Sequence, residues 1–200
     1  MNDVIIIGGG VAGLGAGITL GSSERSKIGS LKTLIIDNGK SDLKSAALYN
    51  VPFIPKGMKG KDALKKLKED ALFFKSVSFV EDTAKSIDTN GDSFLVKTLK
   101  GEYKAKYIIL ATGASSFDIK INGKQVPTKE HTLMPKPGKI KLELSGRQEL
   151  HEGIYVAGLL SGVTTMYATA LGSGVEAACA ILSKIANKCA IIHDFDGIKG

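Results

Sequence analysis

The sequence has no tryptophan, two cysteines, two arginines and three histidines among its 200 residues. Each shortage excludes something. Nucleic-acid readers use arginine for bidentate contacts and aromatic rings for stacking. Here only Arg25 and Arg147 are available, and aromatics make up 6%. The net charge of +7 is therefore a lysine surplus and reads as a solvated surface, with no nucleic-acid partner. Two cysteines cannot staple a chain of this length. Cys179 and Cys189 fall on what reads as one C-terminal helix, where ten residues at ~1.5 Å each set them about 15 Å apart. A disulfide needs Cα atoms within about 7 Å. Both are expected as free thiols, with Cys179, in the run EAACA, in the core. His131, His151 and His193 share no metal-ligand spacing with cysteines or carboxylates, and all three are expected at the surface. None of the five tyrosines has a lysine four residues on, which removes short-chain dehydrogenase chemistry. Long apolar runs are also scarce. Residues 4–20 carry no charge, but 17 residues is the short limit for a membrane span, six of them are glycine, and no basic segment precedes them. The chain is expected to be soluble and cytoplasmic, without a membrane partner.

What is present is ordinary globular material, 43% hydrophobic and 24% charged. The length predicts one domain, or at most two small ones, and suffices to bury roughly 70% of the unfolded surface. The surplus is in glycine, 24 residues with no collagen-like period. Residues 3–7 (DVIII) read as a buried parallel strand, 11–21 as a small-residue helix and 31–37 (LKTLIID) as a second strand. Pro52 and Pro55 keep 40–59 irregular. Residues 60–74 form an amphipathic helix with Leu64, Leu67, Ala71 and Phe74 on one face. A short strand at 77–80 leads to a β-meander at about 83–106, signalled by Asn90-Gly91 and Lys100-Gly101. Two buried strands follow, at 106–111 and 153–157, with short polar strands at 118–152 between them. A helix covers about 164–187, and the tail at 193–200 is expected to fray. Strands alternating with helices predict an α/β doubly wound parallel sheet of Rossmann type, carrying the small antiparallel meander.

The glycines point to chemistry. The first strand runs into Gly8-Gly9-Gly10-Val11-Ala12-Gly13, a G-x-G-x-x-G placed between strand and helix. Gly8 suits the tight turn, Gly10 lets backbone approach a pyrophosphate, and Gly13 lets the helix pack close on the strand. The helix start offers free N–H groups and a partial positive charge to the anion. The bland alternative is a tight packing turn without ligand. Asp37 ends the second strand, where a carboxylate can accept ribose hydroxyls, and no arginine follows to hold a 2′-phosphate. These residues point to NAD or FAD and away from NADP.

VIIIGGGVAG resembles the FAD-binding half of thioredoxin reductases and related pyridine nucleotide-disulfide oxidoreductases. Further segments match in order: YNVPF at 49–53 with the following GMKGKDALKKLKEDA, YIILATGASS at 107–116, GIYVAG at 153–158 and ATALGSG at 168–174. The resemblance implies FAD as cofactor. It puts Asn50 near the flavin ring and Ala111, Thr112 and Gly113 near the nucleotide. It counts Val11, Ala12, Asn38, Thr83, Gly158, Leu159 and Met166 as further cofactor-binding positions. From the residues alone, Asn50-Val51-Pro52 could be a plain loop turn and Ala111–Gly113 a strand cap. A helix starting near Thr164 would aim its N–H groups at the flavin's pyrimidine edge, where reduction builds negative charge.

The departures narrow the function. Leu159 stands where the family carries an aspartate after GIYVAG, so Ser161 and backbone amides would have to compensate. The family's C-x-x-C is missing. So is its NADPH domain, whose place, about 118–138, lies in an interval of some 40 residues, below the ~50-residue domain minimum. The expected protein is a single FAD-binding domain over 1–200, resembling a single-domain thioredoxin reductase-related flavoprotein. The leading function is a FAD-dependent oxidoreductase exchanging electrons with NAD(P)H or a redox protein. A non-catalytic FAD- or NAD-binding subunit or sensor is the second reading, and a Rossmann-type methyltransferase the third. The sequence marks no general acid or base, so the catalytic residues stay unassigned, and no metal site is expected. A homodimer is, because the family's relatives form one.

Overall fold

The computed structural model describes residues 1–190 and 192. Its strands are β1 (Asn2–Ile7), β2 (Thr33–Asp37), β3 (Ala47–Leu48), β4 (Met58–Lys59), β5 (Val77–Glu81), β6 (Ala84–Asn90), β7 (Ser93–Thr98), β8 (Glu102–Leu110), β9 (Lys120–Ile121), β10 (Lys124–Gln125), β11 (Lys129–Glu130), β12 (Ile140–Lys141), β13 (Glu149–His151) and β14 (Ile154–Val156). The helices are α1 (Val11–Ser22), α2 (Gly60–Leu72) and α3 (Tyr167–Ala186). The parallel core runs β14-β8-β1-β2-β5. Its β-branched strands are buried on both faces, as a covered parallel sheet requires; Ile5, Ile6, Ile35, Ile108 and Ile109 have no exposure. The fold is the Rossmann-like α/β sheet with an antiparallel meander, β6-β7-β8, that the pattern predicts, but its helices are not wound on both faces: α1, α2 and α3 pack together on one face, and Ile87 and Val96 of the meander pack on the other.

β8 joins the two layers. Its first half, Glu102–Ala105, pairs with β7, while Ile108–Leu110 pair with β14 along the same edge; β1 holds the other edge from Ala105 to Leu110.

α1 explains much of the glycine surplus. Gly13, Gly15, Gly17 and Gly21 leave no room for a Cβ, which would meet the Gly8 carbonyl, Leu171, Ile35 and Phe74 respectively. Gly174 on α3 faces the Ala12 carbonyl in the same way. Small residues thus let α1 sit directly on the sheet and on α3. α2 follows ordinary amphipathic logic, with Ala63, Leu64, Leu67 and Ala71 buried and its lysines outward. The lysine–carboxylate pairs Lys65–Glu69 and Lys66–Asp70 are exposed, at 4.0 and 3.8 Å, and contribute little. α3 is long and apolar enough to cross a membrane by composition. Its Ala177, Ala178, Ile181 and Leu182 are instead fully buried in the core beside α1.

Two expectations need correction. The C-terminal helix does not carry both cysteines. α3 ends at Ala186, Asn187 takes a left-handed conformation (φ 51°), and the Lys188 N–H returns to the Ser183 carbonyl. Ala190 N–H then bonds Ser183 Oγ, so Cys189 lies on a fold-back and not on the helix axis. Both thiols are free, Cys179 half-buried and Cys189 exposed. Burial pushes the Cys179 thiol up. Second, His131 is not a surface residue but 3% exposed, its ring bonded to the Val163 carbonyl and the Leu133 N–H; His151 is exposed. His193 and the tail at 193–200 lie outside the described residues.

Candidate functional site

The carboxyl ends of β1, β2, β8 and β14 open on one edge of the sheet, and the sequence-predicted residues collect there. Gly8 has φ +112°, and a Cβ would run into the Ala111 carbonyl oxygen. Gly13 is pressed on the Gly8 carbonyl, which locks α1 to the turn. Gly10 differs: a Cβ there would meet only Ser41 Oγ, at 3.9 Å. The turn is therefore packed from behind by Gly8 and Gly13 and open in front at Gly10. Gly10 caps α1 without a side-chain hydrogen bond, and the first turn, which starts at Val11 and Ala12, holds no acidic residue. Its backbone donors and dipole are left for an anion.

Asp37 does more than the motif suggests. Oδ1 accepts the Gly9 N–H at 2.8 Å and Oδ2 the Gly39 N–H at 3.1 Å. The carboxylate thus fixes the glycine turn and keeps further lone pairs for a ligand. Asn38 closes a small turn, its Oδ1 accepting from Lys40 N–H at 3.1 Å. A cavity of about 450 Å³ lies outside these residues, lined by Asp37, Asn38, Lys44, Asp82, Thr83 and Lys100 among others.

Asp82 is a site element that the sequence reading missed. It is a 6% exposed carboxylate that accepts hydrogen bonds from the Thr98 hydroxyl and the Thr83 N–H. Burial by itself raises its pKa, but these bonds and the Lys100 charge outweigh that and hold it below the usual carboxylate value. No spacing rule links residues 82, 83 and 98; the β6–β7 pairing brings them together.

On the β8 side, Thr112 Oγ1 is buried and, among the described residues, has no hydrogen-bond partner. Beside it Gly113 (φ +80°) faces open space, with nothing within 4 Å of a built Cβ. Farther along, Asn50 Nδ2 lies 3.9 Å from Met166 Sδ, which caps α3, so the fold brings these two distant residues together. α3 starts at Tyr167 and not near Thr164, and it too has no side-chain cap and no acid in its first turn. Gly158 (φ +71°) donates its N–H to Ser173 Oγ at 2.7 Å, tying the β14 end to α3. Leu159 is half-buried in the short turn Gly158–Ser161. Ser161 gives its hydroxyl proton to the Gly158 carbonyl, so in this turn it acts as a backbone brace.

A larger cavity, about 830 Å³, lies at the opposite end, between the meander, the β9–β10 hairpin and the start of β14. None of the predicted site residues lines it.

The geometry fits a dinucleotide: a turn open at Gly10, an acid at the second strand, an unpartnered threonine hydroxyl and two uncapped helix starts. The sequence profile described as "Pyridine nucleotide-disulphide oxidoreductase" matches residues 2–199. The chain belongs to that family. Within it, the thioredoxin reductase of Treponema pallidum is 27% identical over 205 residues, covering 98% of this chain and 57% of that protein. The thioredoxin reductase of Borreliella burgdorferi is 31% identical over 117 residues, covering 57% of this chain and 34% of that one. The chain thus spans about a third to just over half of these curated relatives. A solved thioredoxin reductase from Gloeobacter violaceus shares the fold, with a TM-score of 0.77 at 16% identity, covering 97% of this chain and 98% of that one. The protein is a thioredoxin reductase-like member of this oxidoreductase family, with its Rossmann-like fold.

Proposed function

We propose that this family member binds FAD and exchanges electrons with a diffusible reductant or a partner protein. The observation that carries the reading is Thr112. A buried hydroxyl without a partner is destabilising by about 1–3 kcal/mol, and this one sits beside open space at Gly113 on the edge that holds the glycine turn. Bound FAD would supply the electron-transfer chemistry itself. The chain's part is to hold it. The Gly9–Gly13 turn and α1 receive the diphosphate, Asp37, Asn38 and Thr83 flank the adenosine side, and Asn50, Met166 and the start of α3 border the ring. Gly158 and Leu159 line the stretch between. In this reading residues 1–200 act as one FAD domain, and about 118–138 stand where relatives insert a second one.

Purified protein should be yellow and release FAD on denaturation. A colourless protein that stays colourless on FAD titration overturns the reading. Anaerobic NADH or NADPH then asks whether the flavin is reached: bleaching supports turnover with a nicotinamide donor. Leu159 favours a second reading, a non-catalytic FAD-binding subunit, because a leucine makes no hydrogen bond to a ligand. A flavin bleached by neither nicotinamide nor any redox protein supports that one.

A further inference from the structure

The loops that flank the glycine turn are tied together by a residue from a third segment. Lys139 Nζ donates to Ser115 Oγ at 2.8 Å and lies 3.6 Å from an Asp42 carboxylate oxygen. Ser115 follows β8, Asp42 follows β2, and β1 runs between those two strands. An ammonium held by both links the loops that leave the two strands flanking β1, at the end of the sheet where the turn opens at Gly10. Ser41, next to Asp42, is the residue that a Gly10 Cβ would face. The lysine stem is anchored on both sides of its backbone: Ile140 N–H bonds the Ala114 carbonyl at 2.9 Å, and β12 pairs with β11. The side chain is only 24% exposed, whereas its partner Asp42 is 74% exposed. The lysine is thus half-buried, and an ion pair whose acid is this exposed is weak and readily exchanged.

We propose that Lys139 is a clasp over the bound dinucleotide. Its ammonium turns from Asp42 to the diphosphate, adding a full charge to a turn that otherwise offers backbone N–H groups. Ser115 keeps one of the ammonium's three donors and so holds the head group at the turn. The clasp rests on the reading that the chain binds FAD, and adds to it a cation that is not part of the glycine motif.

The test is calorimetric titration of the flavin-free protein with three probes: FAD, ADP, which keeps the diphosphate, and riboflavin, which lacks it. Lys139→Met should weaken FAD and ADP about tenfold at low salt, the value of one charge-assisted hydrogen bond. It should leave riboflavin unchanged, and the difference should shrink as salt rises. Lys139→Arg should restore most of the affinity, and Asp42→Asn should tighten ADP. If Lys139→Met binds FAD and ADP as the parent does, or loses riboflavin equally, the clasp is overturned while the cofactor reading stands. A parent protein that binds neither FAD nor ADP overturns both. Should Lys139→Met fail to fold, unchanged ADP affinity in Asp42→Asn overturns the clasp.

Discussion

The glycine turn and the hairpin β11–β12 face the same groove and are built by different means. In the turn, backbone lies directly on backbone: Gly8 against Ala111, Gly13 against Gly8, with the Asp37 carboxylate pinning Gly9. In the hairpin, side chains reach across long sequence intervals. His131 accepts the Leu133 N–H at Nδ1 (3.3 Å), so its Nε2 carries the proton and meets the Val163 carbonyl at 3.1 Å, 32 residues away. Lys139 reaches back to Ser115 and Asp42. One end of the groove is rigid by exclusion of side chains; the other is held by a few polar contacts.

The contrast is broken most severely at Gly13. A methyl group there overlaps the Gly8 carbonyl, so Gly13→Ala should destabilise by about 3 kcal/mol or more, read from urea unfolding. Unchanged stability would mean that α1 can lift off the sheet. His131→Ala tests the hairpin. It leaves Val163 O and Leu133 N–H without their partner, and should be destabilising by about 2 kcal/mol. Hydrogen exchange should rise at 129–141 and stay slow at 5–7; an even rise across both would dissolve the distinction. Asp37→Ala should weaken FAD binding by about 1–3 kcal/mol, the worth of hydrogen bonds to a charged group. Unaltered binding would leave Asp37 with the turn alone. The mildest probe is pH. Asp82 is held below its ordinary value of 3.8 in the folded protein, so its contribution is complete above that pH and is lost as pH falls toward the folded value. Acid titration of stability should therefore be flatter in Asp82→Asn below about pH 4, and matching curves would remove Asp82 from the acid response.

The same contrast decides what could be read from the sequence. The turn was legible because its demands are local: glycines at fixed spacing between a β-branched strand and a small-residue helix. Asp37 was legible for the same reason, although its hold on Gly9 was not. The meander announced itself through Asn90-Gly91 and Lys100-Gly101. His131 was misread because a histidine between short polar strands has no apolar pattern to mark it as buried; its ring is held by the Val163 carbonyl, 32 residues away. Cys189 was misplaced although its stop signal was present: Asn187 can take the left-handed cap that ends α3 two residues before the cysteine. Lys139 and Asp82 were invisible because long-range backbone contacts, not spacing, bring partners to them: the Ile140–Ala114 bond sets Ser115 beside Lys139, and the β6–β7 pairing sets Thr98 beside Asp82.

β8 gives half of one edge to the meander and half to the parallel core. A strand shared in this way cannot be cut between its owners. Descendants of this architecture can lengthen the loop at Asn90-Gly91 or replace the segment after Gly113, but they cannot trade the meander as a detachable cassette. Any recombination that swapped it would also have to replace the strand lying beside β1, and with it the backing that Ala111 gives the glycine turn.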